Sequence, residues 1–216
     1  MGAPFRAILF DFDYTLADSS EPIIDCFNTG LRGLGLPEAG PQTIRRTIGL
    51  SLEESLVAVA GEESREHASE FRRHWRRRSD HVMVAGTRIF DWAPAAIDRL
   101  AGSGFRLGIV STKYRARIEE VLRREGLDKH FETIVGGDDV VRVKPDPEGL
   151  LHAVDRMRTA REQTLYVGDS LVDAEAAHRA DTCFAAVLTG VTKREAFADL
   201  PAWAVLKSVA ELPEAM

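Results

Sequence analysis

Cysteine is scarce in this 216-residue chain. Cys26 and Cys183 stand far apart, which excludes a disulfide framework and a thiolate zinc cluster and makes a reducing cytoplasm the expected location. Positive charge is not in excess: 28 Lys and Arg face 34 Asp and Glu, for a formal net charge of -6. A nucleic-acid partner calls for a basic face, so none is expected. No apolar run approaches the roughly 20 residues of a membrane span, and none resembles the core of a signal peptide. Arg6 stands where a myristoylation signal needs Ser or Thr. Membrane association is therefore not expected. Lysine is missing before Lys113, an absence that becomes useful below.

What is present is ordinary for a globular chain: 44 % apolar and 29 % charged residues. The first informative stretch is Ile8-Leu9-Phe10-Asp11-Phe12-Asp13-Tyr14-Thr15-Leu16. Ala7 to Phe10 reads as a buried parallel strand, too short for a helix. Its carboxyl end delivers Asp11, and ligands of open α/β sheets bind at such ends. Two carboxylates this close repel unless a cation or a shared proton lies between them. An Asp-rich turn without function is the plain alternative for this stretch alone.

Helical spacing follows. Pro22 suits a first turn, with Ile23, Ile24, Phe27, Leu31 and Leu34 on one face and Gly35 and Pro37 as the stop. Ser51 and Glu54 read as a capping box ahead of Leu52, Leu56 and Val59. Ala68, Phe71 and Trp75 mark a third helix, with Arg72, Arg73, Arg76, Arg77 and Arg78 on a solvated face. No strand is expected between Thr15 and about residue 85. From Gly86 onward strands and helices alternate: Phe105–Val110, Thr133–Val135, Thr164–Val167 and Phe184–Leu188, with Ala202–Leu206 as a last edge strand. Asp146 reads as an N-cap with Pro147 as the first helical residue. The fold class is α/β: a three-layer, Rossmann-like parallel sheet with right-handed crossovers and an inserted all-helical cap. The expected core spans 1–16 and 86–216, and the expected cap 17–85.

Each polar outlier of the α/β part falls at or just past a strand's carboxyl end: Asp11 and Asp13, Ser111, Lys144, Asp169 and Asp173. Phosphoryl transfer suits this set. Both the phosphoryl group and an attacking carboxylate are negative, so something cationic must bring them together. Magnesium held by Asp11, the Asp13 carbonyl and Asp169 would do so, and Lys144 adds a second positive charge. Ser111 can donate to a phosphoryl oxygen. Asp13 can protonate the leaving oxygen and later accept a proton from water. Asp173, three residues after Ser170, also has a plain reading as a capping-box acid.

Four blocks carry a resemblance: Asp11-Phe-Asp13-Tyr-Thr15, Ser111, Lys144-Pro145 and Gly168-Asp169-Ser170-Leu-Val-Asp173. In order and context they resemble the haloacid dehalogenase-like hydrolase superfamily over nearly the whole chain. Gly136-Gly137-Asp138-Asp139 and Val-Lys-Pro-Asp-Pro-Glu resemble its phosphoglycolate phosphatase and pyrophosphatase branch. The resemblance implies a Rossmann-like core with a helical cap of the first type. It implies Asp11 as the nucleophile that forms an aspartyl-phosphate and Asp13 as acid/base. Ser111, Thr112, Lys144 and Thr15 are the implied phosphate-binding set. Asp11, Asp13, Asp169 and Asp173 are the implied Mg²⁺ set, with Asp173 assisting through water or another ligand. By the same analogy Arg45, Gly49 and Ser51 of the cap would set specificity.

Dehalogenases of this fold lack the second acid, so Asp13 argues against that chemistry. Its phosphonate hydrolases use a cap lysine, and no lysine lies in 17–85. The expected function is hydrolysis of a small, phosphoglycolate-like phosphomonoester. A phosphomutase, an inorganic pyrophosphatase and a non-catalytic phosphate-binding regulator are the alternatives. A small phosphorylated metabolite is the expected partner, and a monomer or homodimer the expected assembly. One departure from the family pattern is visible: Tyr14 stands where Gly is usual after the second Asp.

Overall fold

A computed structural model of the chain describes residues 5–216. In chain order its main elements are β1 (Ala7–Phe10), β2 (Ala17–Asp18), α1 (Ser20–Gly33), α2 (Pro41–Arg45), α3 (Leu52–Ala60), α4 (Ala68–Gly86) and β3 (Arg88–Ile89). Then come α5 (Ala93–Gly102), β4 (Arg106–Val110), α6 (Arg115–Arg124), β5 (Phe131–Val135), α7 (Glu148–Met157), β6 (Thr164–Gly168), α8 (Leu171–Arg179), β7 (Cys183–Val187), β8 (Ala202–Leu206) and α9 (Leu212–Ala215). The chain divides into two compact units, one ending at Ala17 and resuming at Ile89, the other Asp18–Arg88.

The first unit is a six-stranded sheet in the order β5-β4-β1-β6-β7-β8. Every pairing in it is parallel. All four residues of β1 are buried, as befits a central strand covered on both faces. One face packs Leu9, Val110, Tyr166 and Phe184 against Leu150 and Met157 of α7 and the alanines of α8. The small alanines let α8 lie close to the strands. β1 pairs with β4 on one side and β6 on the other, and the Asp11 N–H continues the ladder to the Val167 carbonyl at 2.8 Å. Three strand ends that carry the chemistry are therefore neighbours in the sheet.

The second unit is helical. Phe27, Leu31, Ile44, Leu56, Phe71, Trp75 and Met83 form its own core, with the Phe27 and Phe71 rings 4.9 Å apart. Two of its exposed arginines make surface ion pairs: Arg73 with Glu70 in the same helix and Arg78 with Asp25 of α1, both at 2.8 Å. Among the described residues no helix is long and apolar enough to cross a membrane.

Two local expectations need correction. The two-residue strand β2 lies inside the span expected to hold none. Ser51 accepts the Glu54 N–H at 3.1 Å, but the Glu54 carboxylate pairs with Arg65 at 3.0 Å, so half of the expected box is made. At the start of α7, which is assigned from Glu148, Asp146 makes the expected capping bond. Pro147 already holds helical dihedrals (φ -74°, ψ -5°), and Asp146 Oδ1 accepts the Glu148 N–H at 3.0 Å.

Candidate active site

Asp11 emerges from the centre of the sheet and is 3 % exposed. Lys144, from the loop before α7, reaches it from beyond the neighbouring strands: Nζ lies 3.0 Å from Asp11 Oδ1 and 2.5 Å from Asp173 Oδ1. Asp169, the residue after β6, is equally buried. A carboxylate oxygen from each of Asp11, Asp169 and Asp173 lies within 4.8 Å of the others. Residues far apart in the chain thus share a volume the size of one hydrated ion.

The electrostatics follow from that crowding. Burial pushes the Asp11 carboxyl up to about 6; Lys144 opposes the rise, while Asp173 and Asp13 add to it. Asp169 is raised well above the usual range, by burial first and then by Asp173 and Asp11. Burial alone would lower the Lys144 ammonium, but Asp11 and Asp173 outweigh it and the net shift is upward. Three buried acids against one ammonium leave negative charge uncompensated, the condition under which a cation binds.

Asp173 is saturated. Its Oδ1 takes Lys144 and the Tyr166 hydroxyl at 3.0 Å; its Oδ2 takes the Ser170 N–H at 3.1 Å and the Ser170 hydroxyl at 2.6 Å. The Ser170 hydroxyl in turn accepts the Asp173 N–H, completing a capping box at α8. The plain and the functional readings of Asp173 therefore coexist: it starts a helix and aims Lys144. Tyr166, which sequence reasoning misses, has one hydroxyl proton shared between the Val110 carbonyl at 2.9 Å and Asp173 Oδ1 at 3.0 Å, and its oxygen accepts from Lys144 at 2.9 Å. Its place three residues before Asp169 puts it on the site's own strand, but an aromatic there reads as core.

Asp13 turns elsewhere. Both its oxygens meet Lys113 Nζ, at 3.0 and 3.1 Å. Its carboxylate thus lies outside the three-acid cluster. Sequence reasoning misses Lys113 as well, although it is two residues beyond Ser111 at the same strand end. Ser111 is buried, its N–H donates to the Val135 carbonyl at 3.0 Å, and its hydroxyl accepts the Lys113 N–H at 3.4 Å. Thr112 is half-buried in the same turn. Thr15 is fully buried, and its hydroxyl has no hydrogen-bond partner among the described residues.

Tyr14 has φ +61°, a left-handed conformation that suits the glycine usual there. Its carbonyl accepts the Thr189 hydroxyl, from the turn after β7. In the same turn, a methyl on Gly190 would fall on Asp169 Oδ2, so only hydrogen fits behind that carboxylate.

Arg45, Gly49 and Ser51 lie in the helical unit. Arg45 donates to the Ser20 hydroxyl at 2.8 Å and pairs with Glu21 at 2.6 Å. Gly49 has φ +102°, and Ser51 caps α3.

Comparison with known proteins agrees with this geometry. The family model for haloacid dehalogenase-like hydrolases matches residues 8–187. A phosphoglycolate phosphatase of Aquifex aeolicus is 34 % identical over 87 % of this chain and 87 % of its own length. Pyrophosphatase PpaX of Listeria monocytogenes is 30 % identical over 98 % of this chain and 96 % of its own. Among solved structures, a haloacid dehalogenase-like hydrolase from Bacteroides fragilis superposes with a TM-score of 0.92 at 40 % identity, covering 96 % of this chain and 99 % of that one. The chain belongs to the haloacid dehalogenase-like hydrolase family, as an enzyme of the phosphatase type.

Proposed function

We propose that this enzyme hydrolyses a small phosphomonoester by way of an aspartyl-phosphate on Asp11, with Mg²⁺ as cofactor. The observation that carries the reading is the meeting of Asp11 and Asp169, at adjacent strand ends, with Lys144 from the loop before α7. The donor set fits a hard cation: buried carboxylate oxygens with unbalanced negative charge. One of them, Asp11 Oδ1, is ion-paired with Lys144 but accepts no well-aligned hydrogen bond. Asp11 and Asp169 would hold the ion, with the Asp13 main-chain carbonyl as a further oxygen. Asp173, its own oxygens occupied, would serve by aiming Lys144. Bound Mg²⁺ supplies positive charge that offsets the phosphoryl oxygens and the attacking carboxylate.

The chain's own residues do the rest. Asp11 attacks phosphorus from the floor of the site, where burial keeps its carboxylate poorly solvated and reactive. Lys144 holds a phosphoryl oxygen. Ser111, Thr112 and Thr15 offer hydroxyls to the others. Asp13 gives a proton to the departing oxygen and then takes one from the water that cleaves the acyl phosphate, freeing Asp11. Arg45, Gly49 and Ser51 of the helical insert set which leaving group is accepted.

Phosphoglycolate is the substrate class that the relatives' names favour, and pyrophosphate the second. The test is inorganic phosphate release from a panel of phosphomonoesters and pyrophosphate, with and without Mg²⁺. Release should require the metal and track substrate loss mole for mole. Isomerisation without release would make the enzyme a mutase, and release by D11N would remove Asp11 from its role.

A further inference from the structure

The pair formed by Asp13 and Lys113 is not accounted for by the reaction as set out above. Lys113 is the first lysine of the chain, and its side chain is 5 % exposed. A lysine withdrawn from water needs a reason. Its Nζ meets both oxygens of Asp13 and sits 5.9 Å from the centre of the Phe12 ring, itself fully buried. Its main chain is fixed as well. The Lys113 N–H donates to the Ser111 hydroxyl, and its carbonyl accepts the Gly137 N–H at 3.0 Å. The turns after β4 and β5 therefore grip the backbone of Lys113, and Phe12 and Asp13 grip its tip.

We propose that Lys113 is a positioning residue for the acid/base Asp13. The inference rests on the role given to Asp13 above. Asp13 follows β1 by three residues, in a turn held by Tyr14 and Ala17 rather than by the sheet. A carboxylate on such a turn has free rotation about two bonds. Contact with a buried ammonium removes that freedom. In the proton-donating step one carboxyl oxygen stays on Lys113 Nζ, and the other carries the proton aimed at the leaving oxygen. Lys113 never touches the substrate in this scheme. It acts by keeping Asp13 turned away from the three-acid cluster and available to the departing group.

A leaving group of low basicity departs without a proton, and one of high basicity does not. Loss of aim at Asp13 must therefore show as a penalty that grows with leaving-group basicity. A loss of general structural integrity would not scale that way. The experiment compares the wild-type enzyme with K113M, K113Q, K113R and D13N, all with saturating Mg²⁺. Substrates are p-nitrophenyl phosphate, phenyl phosphate and a simple alkyl phosphate, with kcat and KM measured separately and the fold of each variant checked by circular dichroism.

D13N is expected to lose kcat/KM, which reports departure of the leaving group ahead of the shared hydrolysis step, steeply as the leaving group becomes more basic. K113M and K113Q should show the same trend with smaller losses of kcat/KM, on the order of 10- to 100-fold for the alkyl phosphate and about 3-fold or less for p-nitrophenyl phosphate. K113R should recover most of the loss. A steep D13N with flat K113M and K113Q overturns the role of Lys113 alone. A flat response of D13N overturns the acid/base reading of Asp13 and the positioning role with it. Should K113M fail to fold, K113Q carries the same decision.

Discussion

In the sheet unit, Asp11, Asp169, Asp173 and Lys144 are all buried and gather from two strand ends, the start of α8 and a loop. In the helical insert, charges stay at the surface and pair with near neighbours, as Arg65 does with Glu53, Glu54 and Glu62. The helical unit is held by an apolar core of its own, and its ion pairs decorate it. The sheet unit devotes part of its interior to like charges that a folded protein would otherwise avoid. Surface pairs are worth little, while a buried charge left without its partner is costly. Strain of this kind collects where a protein works, so the contrast separates a unit that carries chemistry from one whose charges are interchangeable.

The sharpest way to break that contrast is to remove one buried charge at a time. D11N should abolish phosphate release, a loss of at least about 10⁴-fold, because Asp13, the other carboxylate of that strand end, is turned onto Lys113. K144M should also lose activity, and unlike D11N it should destabilise the fold by about 3–5 kcal/mol, since it strands Asp11 and Asp173 without a counter-ion. Urea unfolding of the two metal-free variants measures this directly. If K144M unfolds like the wild type, the buried network is not what the geometry says it is.

The same contrast predicts a pH signature. Asp11 is raised from 3.8 to about 6 in the folded chain, so the folded state binds the extra proton. Its contribution to stability is fully present below about pH 4 and is lost as pH rises through about 6. For a rise of this size the loss is on the order of 3 kcal/mol in metal-free protein. D11N lacks this dependence. At neutral pH and without metal it should therefore be the more stable protein, although inactive. Added Mg²⁺ should raise the melting temperature of the wild type and leave D11N nearly unmoved. A wild-type and D11N difference that stays constant from about pH 4 to about pH 7 would contradict the burial of Asp11.

A finer cut lies one residue layer back. Gly190 abuts Asp169, and any side chain there must push the carboxylate aside. G190A should weaken the apparent Mg²⁺ affinity by about 10-fold or more, with a smaller change in maximal rate at saturating metal. Restoring activity by raising Mg²⁺ distinguishes this displacement from a folding defect.

Much of the site is legible in the sequence because strand ends are readable. A short apolar run that stops at Asp11, and another that stops at Gly168-Asp169, locate two residues of one site without coordinates. The pairing β4-β1-β6 then makes their approach unavoidable. What is not legible depends on where side chains turn. Nothing in the order Asp11-Phe12-Asp13 says that one carboxylate meets Lys144 and the other Lys113. Tyr166 reads as core until its hydroxyl is seen between Lys144 and Asp173. Tyr14 stands out in the sequence as a departure, but its left-handed backbone appears only in the fold.

The smallest expected effects belong to the helical insert, and they complete the comparison. Arg65 touches three glutamates, yet its guanidinium is in solvent. The wild-type arrangement is already screened by water and salt, so R65A should shift the melting temperature by about 1 °C. Ser51 is different in kind. Its hydroxyl satisfies an N–H that starts α3, a bond that removal of charge does not touch. S51A should cost about 1 kcal/mol, more than the removal of all three contacts of Arg65. Thermal melts of the two variants at about 0.05 and about 0.5 M salt make the point: only the R65A difference should shrink with salt. An R65A loss that exceeds S51A and survives high salt would place a structural ion network in the insert, and the two units would then no longer differ in how they use charge.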